Sequence, residues 1–289
     1  MSGPIIITGG DERYFPLMQD CLTSLAASGR LNGAALGVLD CGLSAGQRLW
    51  CERLGAHIVE PIWDVHFAQG LAVADSFRAM TARPHLPRYF PGFDVYLWLD
   101  ADVWVQDGTA IDLFIEAAAL GDIAIVPEVH RSYANFRDGR EDFETVNGMA
   151  YRQAFGDDAA ERLIRRPLNN AGVFAMRSSS KAWAIWAELL ADAATRSSNM
   201  IDQIALNVAI YDRGLAEVRL PARCNWISHL ATPAWHPACK CLVEPDPPFE
   251  AIGIVHMTLD TKWQSHCAFA VAGRRGETIN RPVRYSPKT

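Results

Sequence analysis

Two carboxylates one residue apart, Asp100 and Asp102, have the types and spacing best suited to chemistry in this chain. They follow the apolar and aromatic run 96–99, and a second apolar run at 103–105 follows them, a pattern typical of a buried strand. A buried carboxylate is costly unless it is paired or bound to a metal ion. Two of them at the end of a strand can share one divalent cation, and oxygen ligands suit Mn²⁺ or Mg²⁺. An ordinary turn, where Asp is common, explains the same residues about as well.

Composition narrows the class of protein. The chain has 289 residues, enough for one large α/β domain or two smaller ones, and its net charge of −6 argues against nucleic acid as the main partner. No apolar run is long enough to span a membrane, and the N-terminus does not have the pattern of a signal peptide. An odd number of cysteines, seven, argues against a disulfide framework and predicts a cytoplasmic protein.

The C-terminal segment differs from the rest of the chain in charge. From Arg274 to Lys288 basic residues predominate, and Glu277 is the single acid. We expect residues 271–289 to form a solvated, partly disordered basic tail. Peripheral contact with an anionic membrane, at the inner membrane face, is the alternative.

Strand and helix patterns alternate through the first half of the chain. The predicted strands are 5–8, 34–39, 56–59, a strand ending at Asp100, and 123–126; the predicted helices are 14–27, 44–54, 71–81 and 107–120. This alternation indicates an α/β fold with a doubly wound, mostly parallel sheet flanked by helices. Ligands bind outside the carboxyl ends of such strands, where 8–11 and 100–102 both lie.

The adjacent glycines Gly9 and Gly10 allow two interpretations. The G-x-G-x-x-G spacing of dinucleotide sites is absent, and a plain turn is the commoner explanation. The functional alternative is a close approach of the backbone to a nucleotide base or ribose, with Asp11 as a polar contact and Tyr14 stacking on the base.

Beyond about residue 130 the alternation weakens. Residues 130–156 are polar and aromatic, and we expect a long loop with at most one short helix, of the kind that often forms a lid. A strand at 168–176 and helices at 179–195 and 202–211 follow, with Asp202 as the expected N-cap of the last helix.

Six short segments, in the right order, resemble the family 8 glycosyltransferases. They read ITGGDERY (7–14), ARPHLPRYFPGFDVYLWLDADVWV (82–105), LNNAGVFAMRS (168–178), DQIALN (202–207), LPARCNW (220–226) and VHMTLDTKW (255–263). The last segment departs from the family pattern at Leu259, where the family has glycine, and lacks a proline between Lys262 and Trp263. The resemblance implies a single GT-A domain over residues 1–270, the fold of nucleotide-diphospho-sugar transferases.

The resemblance also implies a metal site. Asp100 and Asp102 would bind Mn²⁺ or Mg²⁺, Asp102 most directly, with His256 as the third protein ligand. The ion would bridge two diphosphate oxygens of a nucleotide sugar. Lys262 matches a lysine that contacts the diphosphate in the family.

Further roles are implied around the donor sugar. Gln203, Asp202 and Arg83 would be catalytic, and Asn170 and Gly172 would line the sugar pocket. The residues that would contact the donor are Thr8, Gly9, Asp11, Tyr14, Asp100, Ala101, Asn170, Gly172 and Lys262.

The function implied is transfer of a sugar, with retention of configuration, from a UDP-sugar to a glycan, glycolipid or small hydroxyl acceptor. Two alternatives stay open. One is a sugar-nucleotide nucleotidyltransferase, although a G-x-G-T/S-R-type glycine loop after the first strand is missing. The other is a non-catalytic carbohydrate- or zinc-binding module, in which Cys224, Cys239 and Cys241 would be the zinc ligands.

Overall fold

The computed structural model describes residues 3–71, 73–137 and 141–286. Gly139 of the predicted loop and Lys288 of the predicted tail lie outside the described residues. The α-helices are α1 (Phe15–Ala27), α2 (Ala45–Arg53), α3 (Arg78–Ala82), α4 (Leu86–Tyr89), α5 (Thr109–Ala117), α6 (Ala134–Arg137), α7 (Glu141–Phe155), α8 (Asp157–Leu163), α9 (Ala182–Ala194) and α10 (Ile201–Asp212). The strands are β1 (Ile5–Gly10), β2 (Ala35–Asp40), β3 (His57–Val59), β4 (Val95–Leu99), β5 (Val103–Val105), β6 (Ile123–Pro127), β7 (Asn169–Arg177), β8 (Glu217–Arg219), β9 (Trp226–Ile227), β10 (Ala234–His236), β11 (Cys241–Val243), β12 (Ile254–His256), β13 (His266–Val271) and β14 (Thr278–Pro282).

The largest sheet of the described residues has seven strands in the order β3-β2-β1-β4-β7-β6-β8. The β2–β3, β1–β2, β1–β4 and β6–β8 pairs are parallel. Only β7 runs against its two neighbours, β4 and β6. The predicted α/β fold with a mostly parallel sheet is therefore confirmed.

Both faces of this sheet are buried. Along β1, Ile5 and Ile7 pack into one core cluster with Trp98, whereas Ile6 packs into a second cluster with Leu97 on the opposite face. Alternate residues of a strand point to opposite faces, so burial of both faces requires a continuous apolar run. This explains why β1, β4 and β6 lack the alternating pattern of half-buried strands.

Two smaller sheets lie beside the large one, in the orders β5-β12-β9 and β11-β10-β13-β14. The apolar residues on either side of Asp100 and Asp102 form two strands, β4 in the large sheet and β5 in the three-stranded sheet. The predicted strand that ends at Asp100 is confirmed, since β4 ends at Leu99, and the apolar run at 103–105 forms a separate strand. The chain turns at 100–102, where the Val103 amide donates to the Asp100 carbonyl at 3.2 Å. The acidic pair therefore lies at the junction of two sheets.

The prediction of a long loop at 130–156 was wrong, because α7 occupies residues 141–155. Its buried residues Ala150, Tyr151 and Ala154 recur at helical spacing and pack into the main core. Gly148 lets the helix approach Ile164, whose nearest side-chain carbon would lie 3.2 Å from an added Cβ. Polar residues elsewhere in the segment obscure this pattern in the sequence.

The described part of the predicted basic tail contains a strand, which corrects the expectation of partial disorder there, although most of its side chains are exposed. β14 pairs antiparallel with β13 over five residue pairs, from His266–Pro282 to Ala270–Thr278. The Trp104 indole then donates to the Val283 carbonyl at 3.1 Å. Backbone pairing and this contact fix the backbone of a segment whose side chains are mostly exposed. The division of the chain at residue 270 stays a prediction.

Among the described helices, none combines the length and apolar character that crossing a bilayer requires. Cys239 and Cys241 form a disulfide between neighbouring positions at the turn from β10 to β11. This is a local bridge, and Cys21, Cys41, Cys51, Cys224 and Cys267 are free. Two of the three thiols considered as zinc ligands are thus bonded to each other.

Candidate functional site

Asp100, Asp102 and His256 converge where β4 ends and β5 begins. One ligand atom from each residue lies within 4.8 Å of the others. Among the described residues, these three form the group of His, Cys, Asp or Glu side chains whose spacing could hold a metal ion. The His256 Nε2 atom is 3.3 Å from Asp102 Oδ1 and 3.9 Å from Asp100 Oδ2. β12 pairs antiparallel with β5, with His256 opposite Val103, and this pairing carries the imidazole to the acidic pair.

A hydrogen bond on the far side of the imidazole sets its tautomer. His256 Nδ1 is 3.0 Å from the Asn225 amide oxygen, which can only accept, so Nδ1 carries a hydrogen. The Asn225 amide nitrogen donates to Asn170 Oδ1 at 3.0 Å, which fixes the orientation of this amide. The Nε2 atom, which faces the carboxylate oxygens of Asp102 and Asp100, is then the atom that can offer a lone pair to a metal ion. The donor set therefore fits a divalent metal ion, and the Asn225 contact is the usual support of a metal-binding histidine.

Gly172 makes this convergence possible. A Cβ atom at this position would lie 2.4 Å from His256 Cε1 and 2.8 Å from Asp100 Oδ2. The Gly172 carbonyl also accepts from the Asp100 amide at 2.8 Å. The glycine is needed because β7 passes directly against the acidic pair and the imidazole.

Arg83 links Asp100 to a third carboxylate. Its Nη2 atom donates to Asp100 Oδ1, and its Nη1 atom contacts Asp202 Oδ2 at 2.5 Å. Trp98 donates from Nε1 to Asp100 Oδ1 at 2.7 Å, and the guanidinium lies over the Trp98 ring, 5.1 Å from its centroid. Burial raises the pKa of Asp100 above its ordinary value, although Arg83 opposes this shift.

Asp102 has the opposite electrostatic environment. Burial alone would raise the pKa of Asp102, but His256 and Lys262 hold this pKa well below its usual range. The Lys262 ammonium lies 2.7 Å from Asp102 Oδ2. Asp102 is therefore ionised at neutral pH and can act as a metal ligand.

The residues predicted to bind the nucleotide lie at the end of β1. Thr8 is buried, and a Cβ at Gly9 would lie 2.8 Å from Leu39 Cβ, so packing of β1 against β2 already requires this glycine. The Asp11 carboxylate accepts from the Tyr14 amide at 2.9 Å, at the start of α1. Ala101 is buried in the turn between the two aspartates.

Tyr14 lies between β1 and the segment that contains Lys262. Its ring meets the Trp263 ring edge-on, with 5.6 Å between centroids, and the Lys262 ammonium is 5.3 Å from the Tyr14 centroid. The Arg13 guanidinium lies 5.3 Å from the Trp263 centroid. Residues from both ends of the chain thus share one rim of the site.

Gln203 and Asp202 lie at the start of α10, against β7. The Ala171 amide donates to Gln203 Oε1 at 3.0 Å, next to Asn170. The prediction that Asp202 is the N-cap was wrong, because α10 begins at Ile201 and Met200 occupies the cap position. The buried Asp202 carboxylate instead pairs with Arg83.

Sequence reasoning gave no role to two residues of the site. Glu128 Oε1 accepts from the Asn170 amide nitrogen at 2.7 Å, and burial raises the pKa of Glu128 to about 7. Glu128 directly follows β6, so the strand-end rule that selected Asp100 would also have selected it. Asn225 lies in the matched segment LPARCNW, but its contact with His256 depends on the pairing of β9 with β12.

The fold is shared with solved glycosyltransferases. Galactosyltransferase LgtC, solved with donor and acceptor sugar analogues, is 16% identical over 87% of this chain and 86% of its own, with a TM-score of 0.54. The bifunctional glycosyltransferase WbbM is 15% identical over 89% of this chain, with a TM-score of 0.57, and the match spans 46% of WbbM. Mouse xyloside xylosyltransferase 1 is 12% identical over 90% of this chain and 99% of its own, with a TM-score of 0.53.

No protein-family model matches the sequence, and no curated protein matches it. The structural likeness nevertheless covers most of the described chain, so the fold is that of GT-A-type glycosyltransferases. The resemblance to family 8 glycosyltransferases in the sequence is confirmed at the level of the fold.

Proposed function

We propose that this protein is a metal-dependent, retaining glycosyltransferase that transfers a sugar from a nucleotide diphosphate donor, a UDP-sugar, to a hydroxyl acceptor. The observation that carries the proposal is the convergence of Asp100, Asp102 and His256, whose ligand atoms lie within 4.8 Å of one another. The fold shared with glycosyltransferases, one of them solved with donor and acceptor sugar analogues, supports it. The acceptor would be a glycan, a glycolipid or a small molecule, and the reaction would be cytoplasmic.

The three residues would hold Mn²⁺ or Mg²⁺, which would offset negative charge on the departing nucleoside diphosphate. Lys262, 2.7 Å from Asp102, would donate to a diphosphate oxygen from the same side. Tyr14 and Trp263 form an aromatic pair beside Lys262, a suitable surface for the uracil base. Thr8, Gly9 and Asp11 would border the nucleoside at the end of β1.

The sugar would lie towards β7 and α10. Asn170, Gly172 and Gln203 would line this side, and amide groups are suited to bind sugar hydroxyls. The bond between the anomeric carbon and the diphosphate would break as the bond to the acceptor oxygen forms, and the acceptor proton would pass to the departing phosphate. The protein then supplies positioning and charge stabilisation.

Asp202 has the wrong environment for a covalent nucleophile. Its carboxylate is buried and paired with Arg83 at 2.5 Å, whereas double displacement needs a carboxylate free to attack the anomeric carbon. Arg83 bridges Asp202 and Asp100, which would keep both side chains in place near the sugar. This pairing favours front-face attack over a glycosyl-enzyme intermediate.

The first test is binding of UDP with Mn²⁺, followed by thermal unfolding. At a hundredfold excess over its dissociation constant, a ligand stabilises the folded state by about 2.7 kcal/mol, which would raise the Tm by about 5 °C. We expect this shift with UDP and Mn²⁺ together, and we expect it to disappear in Asp102→Asn. Asp192→Asn, a surface carboxylate on α9, is the matched control and should keep the shift.

Two further comparisons separate the alternatives. His256→Ala should weaken Mn²⁺-dependent binding of UDP, whereas His266→Ala, exposed on β13, should not. Screening UDP-sugars for release of free UDP tests transfer itself. Release of pyrophosphate from UTP and a sugar phosphate would identify a nucleotidyltransferase instead. Binding of saccharide without any effect of UDP and Mn²⁺ would identify a non-catalytic module.

A further inference from the structure

A cavity of about 770 Å³ lies away from the metal-ligand cluster, between the C-terminal half of α1 and the four-stranded sheet β11-β10-β13-β14. Ser24 on α1 lines it, whereas Tyr14 at the other end of α1 borders the candidate active site. These two residues are ten positions apart, which corresponds to roughly 15 Å along a helix. The cavity is therefore separate from the site of the proposed transfer.

Among the residues that line this cavity, four are aromatic: Trp104, Trp235, Phe269 and Tyr285. The Trp104 indole donates to the Val283 carbonyl at 3.1 Å, and its ring centroid is 5.9 Å from that of Tyr285. The Trp235 ring lies 3.8 Å from the Arg281 guanidinium carbon. Rigid aromatic faces next to a few polar groups are typical of ligand pockets, and the C–H faces of sugar rings pack well on indoles.

The charge around the cavity is positive in a chain whose net charge is −6. Lys240, Arg281 and Arg284 all line it. Arg284 is paired with Asp20 at 2.5 Å, but neither Lys240 nor Arg281 pairs with a carboxylate of the described residues. Two cations near fixed aromatic faces complement a saccharide that carries carboxylate or phosphate groups.

The shape of the cavity favours a saccharide over a membrane surface. Insertion into a bilayer needs apolar side chains that project from the protein. The large apolar side chains exposed among the described residues lie elsewhere, and Trp104 itself is only 8% exposed. The aromatic groups are recessed, as the binding of a chain within a cavity requires.

We infer that this cavity is a second carbohydrate-binding site, for an acidic saccharide chain. Its use as an auxiliary acceptor site rests on the proposed function, because it would hold a distant part of the acceptor while the terminal sugar reaches the cluster of Asp100, Asp102 and His256. The binding of an acidic saccharide itself does not depend on that proposal.

The test uses an oligogalacturonate as the acidic probe and a maltooligosaccharide of equal length as the neutral one. Binding is followed by calorimetry and by tryptophan fluorescence, to which Trp104 and Trp235 contribute together with the other seven tryptophans. We expect the oligogalacturonate to bind, and to bind at least tenfold more weakly to Arg281→Gln and to Trp235→Leu. Arg275→Gln removes the same charge from the same hairpin but not from the cavity, and should bind like the wild type.

Each outcome decides between explanations. An equal loss of oligogalacturonate affinity in Arg281→Gln and Arg275→Gln would overturn the site, because it would show diffuse electrostatic attraction. Absence of oligogalacturonate binding to the wild type would overturn it too. Binding to phosphatidylglycerol vesicles alone, lost in Arg281→Gln, would assign the surface to a membrane. Arg281→Gln should retain the thermal shift with UDP and Mn²⁺. Oligogalacturonate binding without that shift in the wild type would contradict the proposed function and leave this site intact.

Discussion

At the residue scale, Gly172 sets how closely β7 can approach the acidic pair. An added Cβ would lie within 2.8 Å of both His256 and Asp100, closer than real side chains tolerate. Neither neighbour can withdraw freely, because Asn225 holds the imidazole and Arg83 holds the carboxylate. A single methyl group at this position must therefore displace a proposed metal ligand.

We expect Gly172→Ala to weaken Mn²⁺-dependent UDP binding roughly a hundredfold, since a misplacement of about 1 Å has effects of this size on positioned groups. Calorimetric titration with UDP and Mn²⁺ measures it. The control is Gly46→Ala in α2, where an added Cβ meets no atom within 4 Å. Wild-type affinity in Gly172→Ala would show that the three ligand atoms do not act together.

Glu128 is the second residue whose environment has a measurable consequence. Burial raises the pKa of Glu128 from 4.5 to about 7, while the Asn170 hydrogen bond and the charge of His256 oppose the shift. The folded state therefore binds this proton more tightly than the unfolded state. The resulting stability is fully present below pH 4.5 and is lost as the pH rises towards 7.

Glu128→Gln removes the titrating group, and the glutamine oxygen can still accept from Asn170. We expect the wild type to lose up to about 3 kcal/mol more free energy of unfolding than this variant as the pH rises through this range. Urea denaturation of both proteins at pH 5 and pH 8 measures the difference. Glu161→Gln, exposed on α8, is the control. Parallel pH profiles of wild type and Glu128→Gln would contradict the assigned cause.

The residues of the site could be predicted only in part. Asp100 and Asp102 stand out because carboxylates rarely end a buried apolar run without a partner. His256 came from the resemblance, since a lone histidine after a short strand has no distinctive local pattern. The partners of Arg83 and the orientation of Asn225 could not be predicted, because both depend on tertiary contacts between segments distant in the chain.

At the scale of elements, a buried amide pair joins α10 to β7. Asn207 Oδ1 accepts from the Asn169 amide at 2.8 Å, and Asn207 Nδ2 donates to the Asn169 carbonyl at 2.9 Å. β7 is thereby fixed at the residue before Asn170. The position of the proposed sugar-binding residues therefore depends on a contact outside the site.

Asn207→Ala would leave backbone polar groups of Asn169 buried without their partner. We expect a loss of about 3 kcal/mol in the free energy of unfolding, since each unsatisfied buried group costs about 1–3 kcal/mol. Urea denaturation measures the change, with the exposed Asn199→Ala as the control. A loss no greater than that of the control would show that the amide pair contributes little.

The elements with strong periodicity could be predicted, and α7 could not. Helices α1 and α9 were expected from their apolar spacing, and β1 and β6 from their short apolar runs. Among the described residues of α7, the buried ones are few and include small and polar side chains beside Tyr151, and their burial depends on packing against α8, α9 and α10. Local sequence carries little of that information.

At the scale of the whole molecule, the direction of β7 is a feature that sequence patterns do not predict. β7 runs antiparallel to its neighbours β4 and β6, yet, like them, it is buried on both faces and largely apolar. A continuous apolar run follows from burial of both faces of a strand, and it does not depend on the direction of the strand. The α/β class and the mostly parallel sheet were therefore predictable, whereas the direction of β7 was not.

The proposed metal ligands come from segments far apart in the chain, and Lys262, which follows shortly after His256 in the sequence, contacts Asp102. Because its ammonium already contacts Asp102, we expect Mn²⁺ alone to bind more weakly than Mn²⁺ with UDP, whose diphosphate gives Lys262 another partner. Calorimetric titration of Mn²⁺ with and without UDP measures this difference. Lys262→Met should bind Mn²⁺ alone more tightly and show a smaller gain with UDP. Arg13→Met, on the same rim, should behave like the wild type.

The ion pair between Lys262 and Asp102 affects the order in which Mn²⁺ and the nucleotide would bind. A tethered ammonium competes with a free ion for the same oxygen, and only a ligand that engages the lysine relieves the competition. Ion and nucleotide would then strengthen each other's binding by the same factor, because such linkage is reciprocal. The protein would be nearly insensitive to free Mn²⁺ and would capture it together with its substrate.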